Sequence, residues 1–450
     1  MATSLPRILL QTIRSPSPVV LLSSAALHFW SGDMVDGGAA LALCLLKVAA
    51  LSSTRFWTGT VEAQIGGEQQ AGDAEKAATS AGRVCTLAGG ALAFYLFIAN
   101  PESVPTRSLG RSLVVFNTAL SLGALPLALR LRLSQTAVNL TGARPRSFGA
   151  IERASRLRLL FTRDALPEAI ESVRCVLFGE QHAQAEGALQ AADMAPACHR
   201  RDRRVRECTA IASSRPEDIE EALLILSTDG QVGVHESPAE INLPPGAMTF
   251  GEEGADFFGG LDTIGETLAE ARRTSASMTL CSAVRGAAFV HQAIVIPLLY
   301  AFARPLRTLD LVLITLTADS LLCSFRTPCA RHQHVEPRPW WCAVVCGTLM
   351  AGVTMTVHSS PFFEVGGDER SLYRSSILAL QMVVSTALLP LVAARGRTTE
   401  TVLALGEALA VSIVWGALRV TWLDVALLWL WNLVGHAVIA LLGMRSFAPL

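Results

Sequence analysis

Ten apolar runs punctuate this 450-residue chain. They fall at roughly 17–31, 37–56, 84–100, 112–130, 280–303, 307–324, 340–358, 373–394, 401–420 and 422–444, and an α-helix needs about 20 apolar residues to cross a bilayer. The first run is short and the rest reach or approach that length. The chain is 51% hydrophobic and only 17% charged. That balance excludes an ordinary soluble enzyme and predicts a mainly α, polytopic membrane protein with about ten transmembrane helices.

One large polar interval, about 131–279, separates the fourth run from the fifth. It predicts three parts: 1–130 with four helices and a short residual connection, 131–279 as a soluble loop, and 280–450 as a six-helix bundle. The interval opens with Arg130, Arg132, Arg144 and Arg146 and holds Arg200, Arg201, Arg203, Arg204 and Arg206. Arginine beside membrane ends marks the cytoplasmic or matrix side. Ten spans then put both termini on that side. The net charge of −1 gives no field that would favour nucleic acid. The ten cysteines are scattered, as small core residues would be, rather than set out as a disulfide framework. Arg7 and Arg14 occur in a serine-bearing start with no acid before Asp33. Such a start is similar to a mitochondrial presequence.

Several short segments carry a family resemblance. After the second run, Glu68-Gln69-Gln70-Ala71-Gly72-Asp73-Ala74 resembles the "EENNAGNAA" that leaves the second helix of plasma-membrane proton pumps. Leu122-Gly123-Ala124-Leu125-Pro126 sits where these pumps break the fourth helix with "IPIAMP" or "PEGLP". Ala150-Ile151-Glu152 and the apolar Leu159-Leu160 resemble the phosphorylation segment "AIEEMAG…VLCSDKTGTLT". Downstream, Pro216 to Leu223, Ser237 to Leu243, Glu253 to Phe258 and Asp262 to Arg273 resemble "TPEDK…VEAL", "KKADIGIA", "EASDIVL" and "FATIVEAVEEGR", in the family's order. Leu309 to Ser320 is similar to the sixth-helix segment "FMVLIIAILND", which places Asp319 on its acidic residue. Together these resemble a P-type ATPase of the plasma-membrane proton-pump branch. The resemblance covers most of the chain thinly, and no single motif is intact.

The resemblance implies an α/β phosphorylation-domain remnant in the polar interval, and it implies lost chemistry. Thr162, Arg163 and Asp164 stand where the family has its aspartyl-phosphate segment, with Arg163 on the nucleophile position and Asp164 one residue late. Phosphoryl transfer depends on positioning and charge stabilisation. An arginine cannot attack, and Asp164 lacks the Lys-Thr-Gly that should follow. The connection between the second and third runs is too short for an actuator domain. Lysine occurs only at Lys47 and Lys76. No ATP hydrolysis, bound nucleotide or cofactor is therefore expected. Cys329-His332-His334 and Cys198-His199-Cys208 do not complete a four-ligand zinc set, so no metal is expected either.

Ionisable residues in apolar runs are costly and flag function. Lys47, Asp319, Arg419 and Asp424 are the candidates, with Lys47 able to snorkel. Pro126 and Asp319 are expected to form a vestigial ion site. With no clear mid-membrane arginine opposite it, Asp319 is expected to be neutral, donating a hydrogen bond. His291 and His436 are expected to be buried and hydrogen-bonded. The expected role is an inactive accessory subunit, packed with other membrane-protein subunits and lipids in a respiratory or ATP-synthase complex of the mitochondrial inner membrane, or else in the plasma membrane. A passive ion or proton channel is the alternative.

Overall fold

Helix α2 (Pro16–Trp30) shows how the membrane helices are delimited. Pro16 opens it at a position that has no backbone donor to lose. Its C-terminus closes with paired bonds: Gly32 N–H to Phe29 O at 3.0 Å and Asp33 N–H to His28 O at 2.9 Å. The first residue past that cap must enter the left-handed region, and Gly32 does so with φ +78°. Asp33 then caps α3 (Met34–Ile65) by accepting the Asp36 N–H at 3.2 Å. Two helices thus meet through three residues.

The computed structural model describes residues 5–65, 73–99, 104–122, 261–302, 306–320, 339–360, 370–393 and 399–447, and six strand segments between 173 and 258. The described residues are mainly helical. Besides α2 and α3 the helices are α1 (Leu5–Ile13), α4 (Asp73–Ala99), α5 (Pro105–Leu122), α6 (Leu261–Ala301), α7 (Thr308–Ser320), α8 (Pro339–Ser359), α9 (Arg370–Ala393), α10 (Thr399–Leu418) and α11 (Trp422–Phe447). Five stretches among them are long and apolar enough to cross a membrane: Met34–Phe56, Ala78–Ala99, Cys281–Ala301, Trp340–Ser359 and Trp422–Ala440. The chain is an integral membrane protein on that ground.

Two compact units form. One comprises Met1–Gly59, Ala74–Arg132 and Ala276–Leu450, and holds the membrane helices. In it α2 runs antiparallel to α5. Ser17 Oγ donates to Asn117 Oδ1 at 2.6 Å, Ser24 Oγ to the Gly110 carbonyl at 2.8 Å, and Arg107 to the Ser31 carbonyl at 3.2 Å. Small residues let helices approach where no hydrophobic effect drives them together. A Cβ on Gly286 would lie 2.7 Å from Ala343 Cβ, and one on Gly347 would lie 2.6 Å from the Ala287 carbonyl, so α6 and α8 cross at their backbones. Helix α9 is buried all round from Ser375 to Pro390, and it packs on α7, α8, α10 and α11. Outward apolar side chains such as Leu45, Leu87, Ile98, Ile413 and Leu430 suit lipid.

The other unit comprises Thr60–Asp73 and Leu133–Ser275. Its strands are β1 (Val173–Phe178), β2 (Leu189–Gln190), β3 (Ala210–Ala212), β4 (Gln231–His235), β5 (Met248–Gly251) and β6 (Phe257–Phe258). They form one sheet in the order β2-β3-β1-β4-β5-β6, and every pairing is parallel. From β1 the chain passes to the edge strand β2, returns to β3 beside β1, and then crosses to β4 on the other side. Phe178 is paired with Ala212 on one side and with His235 on the other.

Candidate functional site

The α2–α3 turn sets the level of everything below it. Asp36 in the first turn of α3 accepts the Leu309 N–H at 3.2 Å, so it caps α7 across the helix boundary. His28 Nε2 lies 3.0 Å from Thr308 Oγ1, and Asp310 Oδ2 accepts the Arg307 N–H at 3.2 Å. Helices α3 and α7 therefore start side by side and run in the same direction. Lys47 is eleven residues past Asp36, and Asp319 ten past Leu309. At 1.5 Å per residue both lie about 15 Å along their helices from this end.

There they meet. Lys47 Nζ is 2.8 Å from Asp319 Oδ2. Arg285 of α6 donates from Nη2 to Asp319 Oδ1 at 3.1 Å, and from Nη1 to the Ala318 carbonyl. The three side chains are 10%, 13% and 4% exposed for Lys47, Asp319 and Arg285, so this is a buried charge cluster. Beside it is a cavity of about 10 Å³ lined by Thr118, Arg285, Phe289, Gln292, Thr315, Ala318 and Asp319. That is room for about one water.

This geometry overturns the neutral Asp319 expected above. That expectation required the absence of a facing cation, and two face it, Lys47 at ion-pair distance and Arg285 through a hydrogen bond. A carboxylate so placed is an acceptor in an ion pair, not a hydrogen-bond donor. Arg285 stands four residues inside the apolar stretch Cys281–Ala301 and still reaches the Ala318 carbonyl. Lys47 does not snorkel away but turns inward to Asp319. Pro126, Thr162, Arg163 and Asp164 lie outside the described residues, as do the cysteine–histidine groups at 198–208 and 329–334.

The remaining sequence candidates are placed as follows. Arg419 Nη1 approaches the fully buried Asp310 Oδ1 at 3.7 Å and stacks over Trp415 at 4.8 Å. Asp424 accepts from Thr421 Oγ1 at 2.6 Å and from the Tyr373 hydroxyl. His291 and His436 are buried and hydrogen-bonded, the first to Thr354 Oγ1 at 2.9 Å, the second to the Asn432 and Ser385 carbonyls at 2.9 Å each. Buried Asp36 and Asp310 near helix ends are not marked by the apolar runs, whereas Glu407, which accepts from Thr317 Oγ1 at 2.9 Å, is the acid in the apolar run of α10. Its place in that run was the available signal. Cys281 is disulfide-bonded, unlike the free Cys44, Cys85, Cys342 and Cys346.

His28, Asp33 and Asp36 bring one ligand atom each within 4.8 Å of one another. Two of these residues are already engaged in joining helix ends: His28 with Thr308, and Asp36 with Leu309. The chain matches no protein-family model and no curated protein.

Proposed function

We propose that this chain is a catalytically inactive, P-type ATPase-like membrane protein that serves as a structural accessory subunit of a larger membrane complex. The observation that carries the reading is the connection from α3 to α4. Helix α3 ends at Ile65 and α4 begins at Asp73. The intervening residues 66–72 leave no length for a domain of the usual size, so the actuator that would drive a phosphoenzyme cycle has no place in the chain. No Asp-Lys-Thr-Gly-Thr occurs anywhere in the sequence. On this reading α2 to α11 supply the ten spans, and the parallel sheet of the second unit is what is left of a phosphorylation domain.

A retained membrane domain without an engine offers helix-packing and lipid-facing surface. Other membrane-protein subunits and lipids are its partners, with neither nucleotide nor nucleic acid involved. The presequence-like start supports the mitochondrial inner membrane, in a respiratory or ATP-synthase assembly, over the plasma membrane. The test is the size at which the native chain migrates after mild solubilisation. Co-migration with a large complex is expected; a lone monomer with no co-purifying subunit would sink the reading.

The second reading, a passive ion or proton channel, draws on Asp319 itself, since a mid-depth carboxylate is the usual mark of an ion path. Against it stand the two cations already on that carboxylate. Proton flux in proteoliposomes that disappears in Asp319→Asn would favour the channel.

A further inference from the structure

We propose that His28, Asp33 and Asp36 form a site for one divalent transition-metal ion, zinc being the best fit, at the junction of α2, α3 and α7. The turn at Gly32 builds it. His28 stands in the last turn of α2, and the positive φ of Gly32 reverses the chain, so that Asp33 and Asp36 open α3 beside it. One ligand atom from each of the three lies within 4.8 Å of the others. His28 is fully buried, Asp36 is 6% exposed, and Asp33 is half-buried.

Each carboxylate has an oxygen to give. Asp36 Oδ1 accepts the Leu309 N–H and Asp33 Oδ1 the Asp36 N–H, at 3.2 Å each. The second oxygen of each has no donor among the described residues. A buried carboxylate oxygen without a partner is costly, and a bound cation removes that cost at Asp36. Thr308 Oγ1, 3.0 Å from His28 Nε2, holds the imidazole in place, as the outer contact of a metal-bound histidine does.

The ligand chemistry selects the ion. One imidazole nitrogen with two carboxylate oxygens suits zinc, whereas calcium and magnesium take oxygen ligands. Two carboxylates and a neutral imidazole carry two negative charges, which one divalent cation balances. Three protein ligands leave the fourth position of a tetrahedral ion to water, and the half-buried Asp33 gives water and metal a way in. The ion ties the end of α2 to the starts of α3 and α7, the helix ends that Thr308 and Asp36 already join by hydrogen bonds. The inference is independent of the accessory-subunit reading, and neither falls with the other.

The experiment uses the full-length protein in mild detergent, purified on a tag free of histidine and stripped with EDTA. Thermal unfolding is followed against zinc chloride, with magnesium and calcium chloride for comparison, and bound zinc per chain is measured. Asp33→Asn/Asp36→Asn is the deciding variant. Asparagine keeps the oxygen that accepts each backbone N–H and replaces the other by an amide nitrogen, which is no ligand. Wild type is expected to unfold several degrees higher in low-micromolar zinc, since a ligand held only by the folded state stabilises it, and to respond little to magnesium or calcium. The double variant is expected to fold without zinc, to lose that gain and to bind one zinc ion fewer, whatever cysteines and histidines elsewhere in the chain take up. Wild type indifferent to zinc overturns the proposal, as does wild type that answers equally to magnesium or calcium. Equal zinc content and equal stabilisation in the two proteins overturn it as well. If the double variant does not fold, Asp33→Asn alone decides, at a half-buried cap where asparagine serves as well as aspartate. A zinc dependence shifted to at least tenfold higher concentration supports the site, and an unshifted one overturns it.

Discussion

Gln381 and Asn432 exchange two hydrogen bonds between α9 and α11. Gln381 Nε2 donates to Asn432 Oδ1 at 2.9 Å, and Asn432 Nδ2 donates to Gln381 Oε1 at 2.7 Å. Both side chains are fully buried. Asn432 Nδ2 also donates to the Leu428 carbonyl of its own helix at 2.8 Å, which fixes the amide's orientation. The pair pins the register of a helix that is buried all round against its neighbour. Replacing either residue by leucine strands the other's donors and acceptors, and each single change is expected to cost about 1–2 kcal/mol. The double change should cost less than the sum. A double-mutant cycle on detergent unfolding is expected to give a coupling of about 0.6–1.7 kcal/mol, the range for polar contacts between membrane helices. Additive single effects would show that the amides do not act together.

Asp319→Asn is expected to be strongly destabilising. The substitution leaves Lys47 and Arg285 buried beside each other with no anion between them. Breaking a buried ion pair from one side costs about 3–5 kcal/mol. The measurement is unfolding in mild detergent against wild type. A change within about 0.5 kcal/mol, the size of an ordinary surface substitution, would show that the carboxylate bears no charge.

Gly347→Ala and Gly352→Ala lie on the same helix and are expected to have opposite signs. A Cβ at 347 would come within 2.6 Å of the Ala287 carbonyl and of Val290 Cβ. The α6 backbone must move, and overpacking of this kind costs about 1–3 kcal/mol. At 352 nothing lies within 4 Å, so alanine's helix propensity acts alone and is expected to stabilise by about 0.5–1 kcal/mol. Equal melting temperatures for the two variants would contradict the close crossing of α6 and α8.

ATP hydrolysis is expected to be absent from the purified protein, and no acid-stable phosphate should form on Asp164. Vanadate-sensitive turnover above that of a mock preparation would refute the inactive reading. So would phosphorylation lost in Asp164→Asn.

Apolar run length by itself determined the membrane class, because the hydrocarbon thickness is fixed and backbone polar groups there must be satisfied within helices. Residue type alone also singled out Asp319 and Lys47, since a charge in an apolar run is costly wherever it points. Who neutralises whom was decided only by tertiary structure. Lys47 and Asp319 are 272 residues apart, as the numbering shows. A helical period tells which residues share a face, but not which helix that face meets or at what depth. Depth came from Asp36 capping α7, which aligns α3 with α7 and brings both charges to one level. Arg285 stands near one end of its apolar run, and only tertiary structure brings it to Asp319. The close crossing at Gly347 is hidden in the sequence: glycine in a helix is weakly disfavoured by itself, and only the neighbouring backbone shows why a side chain does not fit there.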